Sequence, residues 1–211
     1  MRKAPAKIKP SSVPQALFLI RAPEQINEAL LEKLHQSGNT VSFERLFKGG
    51  EAVLAIYGPD NLPQTFPKLS LLELEDYLIP KEETFTNKND RKVNADQAFG
   101  WQILIQPGTE SPDLTDFNLG EDEQFFYQII LEPVTQKEEK LFKVIIRAMV
   151  ATKNKLDKVK LGKRIFTQIN QSLGIETNEL KSSPQFFDHY QLRVPGTGEK
   201  NFTLAEVQSL L

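Results

Sequence analysis

Chemistry needs converging donors, and few residues of this sequence are placed to converge. There are two histidines, His35 and His189. A metal site or an acid–base pair would need them together, with carboxylates alongside. His35 falls at the end of a helical pattern, where an imidazole complements the helix dipole, and His189 opens an extended pattern. Both read as structural or surface residues. The acidic run Asp113, Asp116, Glu121, Asp122 and Glu123 invites a calcium reading. It lacks acidic residues at alternate loop positions followed by glycine, so a solvated loop or a helix start fits better. The stretch Gly196-Thr-Gly-Glu-Lys200 approaches a phosphate loop, but Glu199 separates Gly198 from Lys200 and Asn201 follows where Ser or Thr belongs. No nucleophile elbow is present. The absence of cysteine removes thiol catalysis, thiolate ligands and disulfides, and fits a reducing cytosol. The sequence therefore predicts no catalytic residue, no cofactor and no metal.

One charge cluster stands out. Lys140, Lys143, Arg147, Lys153, Lys155, Lys158, Lys160, Lys163 and Arg164 follow one another with only Asp157 opposing them. Within it, Lys153, Lys155, Lys158, Lys160, Lys163 and Arg164 are the candidate contacts for a polyanion or an acidic partner. Lysines also commonly occupy the polar side of amphipathic helices, and no aromatic residues interleave with them as stacking platforms for single strands.

The elements that would position these residues can be read from periodicity. Residues 100–107, GWQILIQP, alternate from the single tryptophan, Trp101, and close on Pro-Gly, so they predict a strand with Trp101 buried. Residues 141–151, LFKVIIRAMVA, are its natural sheet partner. Residues 155–173 predict the clearest helix, with Leu161, Ile165, Ile169 and Leu173 spaced by four and Gly174 as its stop. Upstream, 16–21 predicts a strand and 22–37 a helix that begins at Ala22-Pro23-Glu24 and stops at Gly38. Strands over 40–47 and 51–58 flank the hairpin Lys48-Gly49-Gly50. A short helical turn over 61–66 and a strand over 69–78 follow. Residues 121–131 fit a helix or a strand, with helix preferred and Pro133 as its end. Strands are expected at 179–182 and 189–194. Thr203-Leu-Ala-Glu206 is a capping box opening a last helix.

The order β-α-β-β-(α)-β is the split βαβ pattern. The expected fold class is α+β: a ferredoxin-like first domain, then a second α/β-sandwich-type domain with a mixed or antiparallel sheet. The expected boundaries are a flexible basic leader over 1–15, the first domain over 16–79, a polar linker over 80–97, the second domain over 98–202 and the start of a C-terminal helix over 203–211. The 14 phenylalanines allow two modest cores. A net charge of -2 provides no global attraction to nucleic acid or anionic lipid, so such binding would need a local patch. No stretch is long and apolar enough to be a signal core or a membrane span.

Several segments, in order, resemble one family. ALFLIRAPEQINEALLEKLHQSG, VSFERL, AVLAIYGPDNLP and LLELEDYL resemble the start of the extramotor region of the conjugative DNA-transfer ATPases of small-genome bacteria, which are similar to type IV secretion coupling proteins. GWQILIQPG resembles that family's Trp-Gln-Ile-Leu-Ile-Arg-Pro strand, with Gln106 where Arg is usual. LFKVIIRAMVATK resembles its Phe-Lys-Val-x-Ile-Arg strand, and FTLAEVQSLL the helix leading into its motor. Family members usually carry membrane helices before this region and a phosphate-loop motor after it. This sequence has neither, so the resemblance implies an accessory, membrane-proximal α+β region and carries no ATPase residue across. It implies a non-catalytic assembly role with protein partners, a motor ATPase among them, at the cytoplasmic side. The alternative is a free-standing nucleic-acid-binding protein that uses the basic helix.

Overall fold

The computed structural model describes residues 13–48, 50–76, 98–112, 114, 117–136, 138–152, 157–173, 186, 190, 192–193 and 200–211, and the backbone of 83–86 and 92–95. Its strands are β1 (Gln15–Ile20), β2 (Val41–Lys48), β3 (Glu51–Pro59), β4 (Leu71–Leu74), β5 (Glu83–Thr86), β6 (Lys92–Ala95), β7 (Ala98–Ile103), β8 (Glu123–Gln136), β9 (Glu139–Thr152) and β10 (Lys200–Thr203). Its helices are α1 (Glu28–Ser37), α2 (Leu62–Thr65), α3 (Lys158–Leu173) and α4 (Leu204–Leu210).

Eight strands form one antiparallel sheet in the order β10-β9-β8-β2-β3-β1-β4, with β7 also on β9. This corrects the expected fold class of a ferredoxin-like domain followed by a separate sandwich. The first four strands do lie in the order β2-β3-β1-β4, but β2 does not end a small sheet. Its outer edge pairs with β8 from Val41↔Leu131 to Lys48↔Gln124, so the two halves of the sequence share one sheet. The physical reason lies in β8 and β9, each 14 residues long. They pair along their whole length, and β8 offers β2 an edge as apolar as β2 itself. The segment expected to be a linker contains the hairpin β5–β6.

The preference for helix over 121–131 is also corrected, because from Glu123 onward this stretch is β8. Phe125, Tyr127, Ile129 and Leu131 point to one buried face and Phe126, Gln128 and Ile130 to the other. Burial on both faces produces a continuous apolar run whose period of two is hidden. Pro133 does not end the strand, because the pairing with β2 stops at Leu131 and no partner there requires its missing N–H. Other corrections are local. The first helix starts at Glu28, with the Asn27 side chain accepting from Leu30 N, while Pro23–Gln25 is a 3-10 turn. The strand expected at 69–78 is only Leu71–Leu74 among the described residues. In the strand expected over 189–194, Tyr190 is helical and Leu192 and Arg193 form a turn. Residues 1–12, 153–156 and 174–185 lie outside the described residues, and with them most of the expected leader, the start expected for the third helix and the strand expected over 179–182; Gln15, expected to end the leader, opens β1.

Other expectations are met. Trp101 is fully buried and faces Ala148 of β9 in the ladder, as the strand pairing required. Gly38 stops α1 in the left-handed conformation at φ 67. Thr203 and Glu206 form the capping box of α4, whose Val207 and Leu210 are buried.

The helices α1, α3 and α4 cover one face of the sheet, sealing a core of Phe43, Phe125, Tyr127, Phe142, Ile146 and Trp101 among others. Trp101 meets Phe166 of α3 edge-on, with ring centroids 5.8 Å apart. The other face carries a smaller cluster of Ala98, Phe126, Met149, Ala151 and Tyr190, with Phe186 packed against it.

Candidate functional site

The residues singled out for chemistry do not converge. His35 shares a 2.8 Å hydrogen bond between its Nε2 and the Val134 carbonyl and packs edge-on against Phe142. His189, Asp113 and Asp116 lie outside the described residues. Glu121 and Asp122 form a turn, and Glu123 opens β8, where its carboxylate accepts from Arg164 at 2.7 Å. Lys200 begins β10 and donates to Gln106. The rest of that glycine-containing turn lies outside the described residues. Among the described residues no group of His, Cys, Asp and Glu could hold a metal ion.

The basic cluster is divided by the fold. Lys160 and Lys163 are exposed on α3, opposite its buried side of Leu161, Ile165 and Ile169, and Lys158 is half-buried. Lys153 and Lys155 lie outside the described residues. Acids distant in sequence meet several of the cations. Lys140 pairs with Glu32, Lys143 with Glu132 at 3.6 Å and Arg164 with Glu123 at 2.7 Å, while Lys160 pairs with Asp157 at 3.5 Å. Lys140 holds the Glu32 carboxyl below its ordinary pKa by hydrogen bond and charge. Sequence proximity showed Asp157 alone, because the other acids come from α1 and β8.

A buried polar row crosses the second face of the sheet. Ladder positions place Gln102 of β7, Arg147 of β9, Gln128 of β8 and Glu44 of β2 side by side across four strands. Glu44, Gln128 and Arg147 are buried, as is Ser42 two positions from Glu44. Gln128 Nε2 donates to Glu44 Oε1 at 3.1 Å and to the Tyr190 carbonyl at 3.2 Å. Arg193 completes the row. Its Nε donates to Glu44 Oε1 at 2.9 Å, and Nη1 and Nη2 grip Asp76 at 2.7 and 2.8 Å. Its guanidinium lies 3.9 Å from the centroid of the Tyr57 ring. Burial raises the Tyr57 hydroxyl pKa; Arg193 opposes this, while Asp76 and Glu44 add to it.

The described residues of 186–193 therefore cross the sheet at three anchors. Phe186 lies over Gly100 of β7, where a Cβ would come within 2.1 Å of its ring. The Tyr190 carbonyl sits on β8, and Arg193 joins β2, β3 and the residue two beyond β4. Arg193 adopts φ 49, left-handed for a residue other than glycine, so the surrounding ion pairs hold a backbone shape that costs energy. This arrangement clamps strands together: both acids bind one guanidinium, and the Glu44 side chain is fully buried. A charged residue inside VSFERLFK was the available signal, but alternation alone assigns Ser42 and Glu44 to a solvent face.

A cavity of about 510 Å³ opens at the other end of β2 and β3. Ile26, Phe47, Leu54, Leu114, Phe117, Leu119 and Leu211 form most of its wall, with Arg45, Glu51 and Gln208 as its charged and amide groups. Phe47 and Phe117 meet edge-on at 5.7 Å, and both pack on Phe125. Half-buried Arg45 donates to the Leu211 carbonyl at 2.6 Å. Next to it in the ladder is Tyr127, whose buried hydroxyl has no partner among the described residues. Desolvation raises the Tyr127 pKa well above the ordinary tyrosine range, against a smaller lowering by Arg45.

No family model matches the chain and no curated protein matches it. No helix of the described residues is long and apolar enough to cross a membrane.

Proposed function

We propose that this chain is a non-catalytic interaction and assembly module of a conjugation or type IV secretion-like DNA-translocation machine. The observation that carries the non-catalytic part is the use made of the buried charges. Glu44 and Arg193 are buried and hold strands to one another, and Asp76, which edges an open cleft beside β1, β3 and β4, is itself held by the Arg193 guanidinium. The pocket is mostly apolar and suits binding better than proton or group transfer. The link to DNA translocation rests on the segment resemblance. Those segments include β1 with α1, β7, β9 and β10 with α4, which carry much of the sheet and the helix layer. The module works at the cytoplasmic side, held at the membrane by its protein partners.

The alternative, nucleic-acid binding through α3, is favoured by the exposure of Lys160 and Lys163 and weakened by the acids already paired with Lys160 and Arg164. Co-purification of the tagged chain from cells that make it naturally tests the proposal. A DNA-translocating ATPase recovered in stoichiometric amount is expected. Recovery of the chain alone, with duplex DNA binding that falls with log salt at a slope of about −3.6 for four phosphate contacts, would replace this reading with the nucleic-acid one.

A further inference from the structure

We infer that the outer edge of β4 takes an extended, basic segment of a partner protein as a further strand of the sheet. This rests on reading the chain as an interaction module. The strand β4 ends the sheet order, and it pairs with β1 from Ile20↔Leu71 to Leu17↔Leu74. On its other side no strand pairs with it among the described residues. An antiparallel strand sends alternate N–H and C=O groups away from its partner, so this edge presents backbone donors and acceptors to a newcomer. The end of the edge is already fixed. Arg193 grips Asp76, two residues beyond Leu74, and ties it to Glu44 of β2. A fixed edge loses little freedom when a strand joins it, and strand addition is a recurring mode of peptide recognition.

The side chains select the newcomer. Alternation places Leu72 and Leu74 on the face of Leu19 and Leu17, and Glu73 on the face of Phe18 with Glu75 following it. Leu72 is 43% exposed, and Glu73 and Glu75 are exposed and meet no cation among the described residues. Glu73, Glu75 and Asp76 also edge the open cleft of about 520 Å³ beside Tyr57 and the start of β1, whose described lining contains no cation. Opposite charges on neighbouring strands attract and like charges repel. A strand with Lys or Arg at alternate positions and apolar residues between them therefore matches this edge, cations towards Glu73 and Glu75 and apolar groups towards Leu72 and Leu74. A second copy is a poor occupant, because pairing β4 with itself gathers the Glu73 and Glu75 carboxylates of both copies at one junction. The same carboxylates repel a nucleic acid.

The test is an NMR titration of the full ¹⁵N-labelled chain with N-acetyl-Lys-Val-Lys-Val-Lys amide, with the same peptide carrying Glu for Lys, with its backbone N-methylated form, and with spermine. The lysine peptide should shift the amides of Leu71, Leu72, Glu73 and Leu74, slow the hydrogen exchange of those that face outward, and lose affinity as salt is raised. The glutamate peptide and the N-methylated form should leave those amides unmoved. Glu73→Gln with Glu75→Gln, both at exposed positions, should weaken the lysine peptide about fivefold, as the loss of two exposed ion pairs would. No shift of the β4 amides by the lysine peptide, equal binding of the glutamate or N-methylated peptide, or unchanged affinity in the folded Gln variant would overturn the proposal. The same shifts with spermine would replace the strand with a small cation. Shifts of β4 on concentrating the protein alone would assign the edge to a second copy, and shifts on removing residues 1–12 would assign it to this chain's own basic segment. Any of these results removes this docking edge alone; the assembly reading stands or falls on the co-purification.

Discussion

Glu44 is cut off from water, and Arg193, 149 residues further along the chain, meets its charge. Removing one partner of such a pair strands the other, so Arg193→Met should lower the unfolding free energy by about 3–5 kcal/mol in urea melts. Adding Glu44→Gln to Arg193→Met should recover part of that loss, and a double-mutant cycle with no coupling would show that the pair is not a clamp. Trp101→Ala should cost about 3–5 kcal/mol, because it empties a site packed by Phe99 and Phe166. Tyr127 supplies a pH signature. Its folded pKa is raised, so its contribution is intact below the ordinary tyrosine value of about 10. As pH rises above that value the unfolded state ionises and the folded state does not, so stability should fall with pH. Tyr127→Phe should flatten that alkaline fall. Trp101 was legible at this scale because a lone tryptophan on an alternating strand has little choice but burial. Glu44, Gln128, Arg147 and Arg193 were not, because alternation shows which residues share a face and not whether that face meets water.

Among the elements, β7 and β9 could be read and paired from sequence because each has a turn signal or a clear alternation. The β8–β9 hairpin could not. Its ladder closes at Gln136↔Glu139 around a turn containing Glu138 at φ 70, without the glycine or asparagine that marks such turns. The end of α1 and the start of α4 were legible for the opposite reason, since Gly38 and the Thr203–Glu206 box are local chemistry. Gly100 tests the anchoring of the 186–193 segment. A methyl group there meets the Phe186 ring, so Gly100→Ala should destabilise the protein by about 1–3 kcal/mol in thermal or urea melts. Phe186→Ala in the same background should relieve most of the clash. If Gly100→Ala is neutral, Phe186 does not press on the sheet.

Across the whole molecule, the ladder from β10 to β4 runs through β2, which pairs with β3 on one side and β8 on the other. The β3 pairing was legible from the Lys48-Gly49-Gly50 hairpin signal, and the β8 pairing was not, because a strand's distant partners are set by which apolar edges remain uncovered once the chain has folded. The basic residues from 140 to 164 illustrate the same limit: they read as one patch in sequence and are divided in space by Glu32, Glu132 and Glu123. On the assembly reading, the chain matters to DNA translocation through protein contacts, so the exposed lysines of α3 should be dispensable. The most direct measurement is the frequency of DNA transfer from cells lacking the gene, complemented with the natural chain or with a Lys160→Glu, Lys163→Glu variant. Transfer should be lost on deletion and restored by both. Transfer unaffected by deletion, or restored by the natural chain and not by a folded charge-reversed variant, would contradict the account.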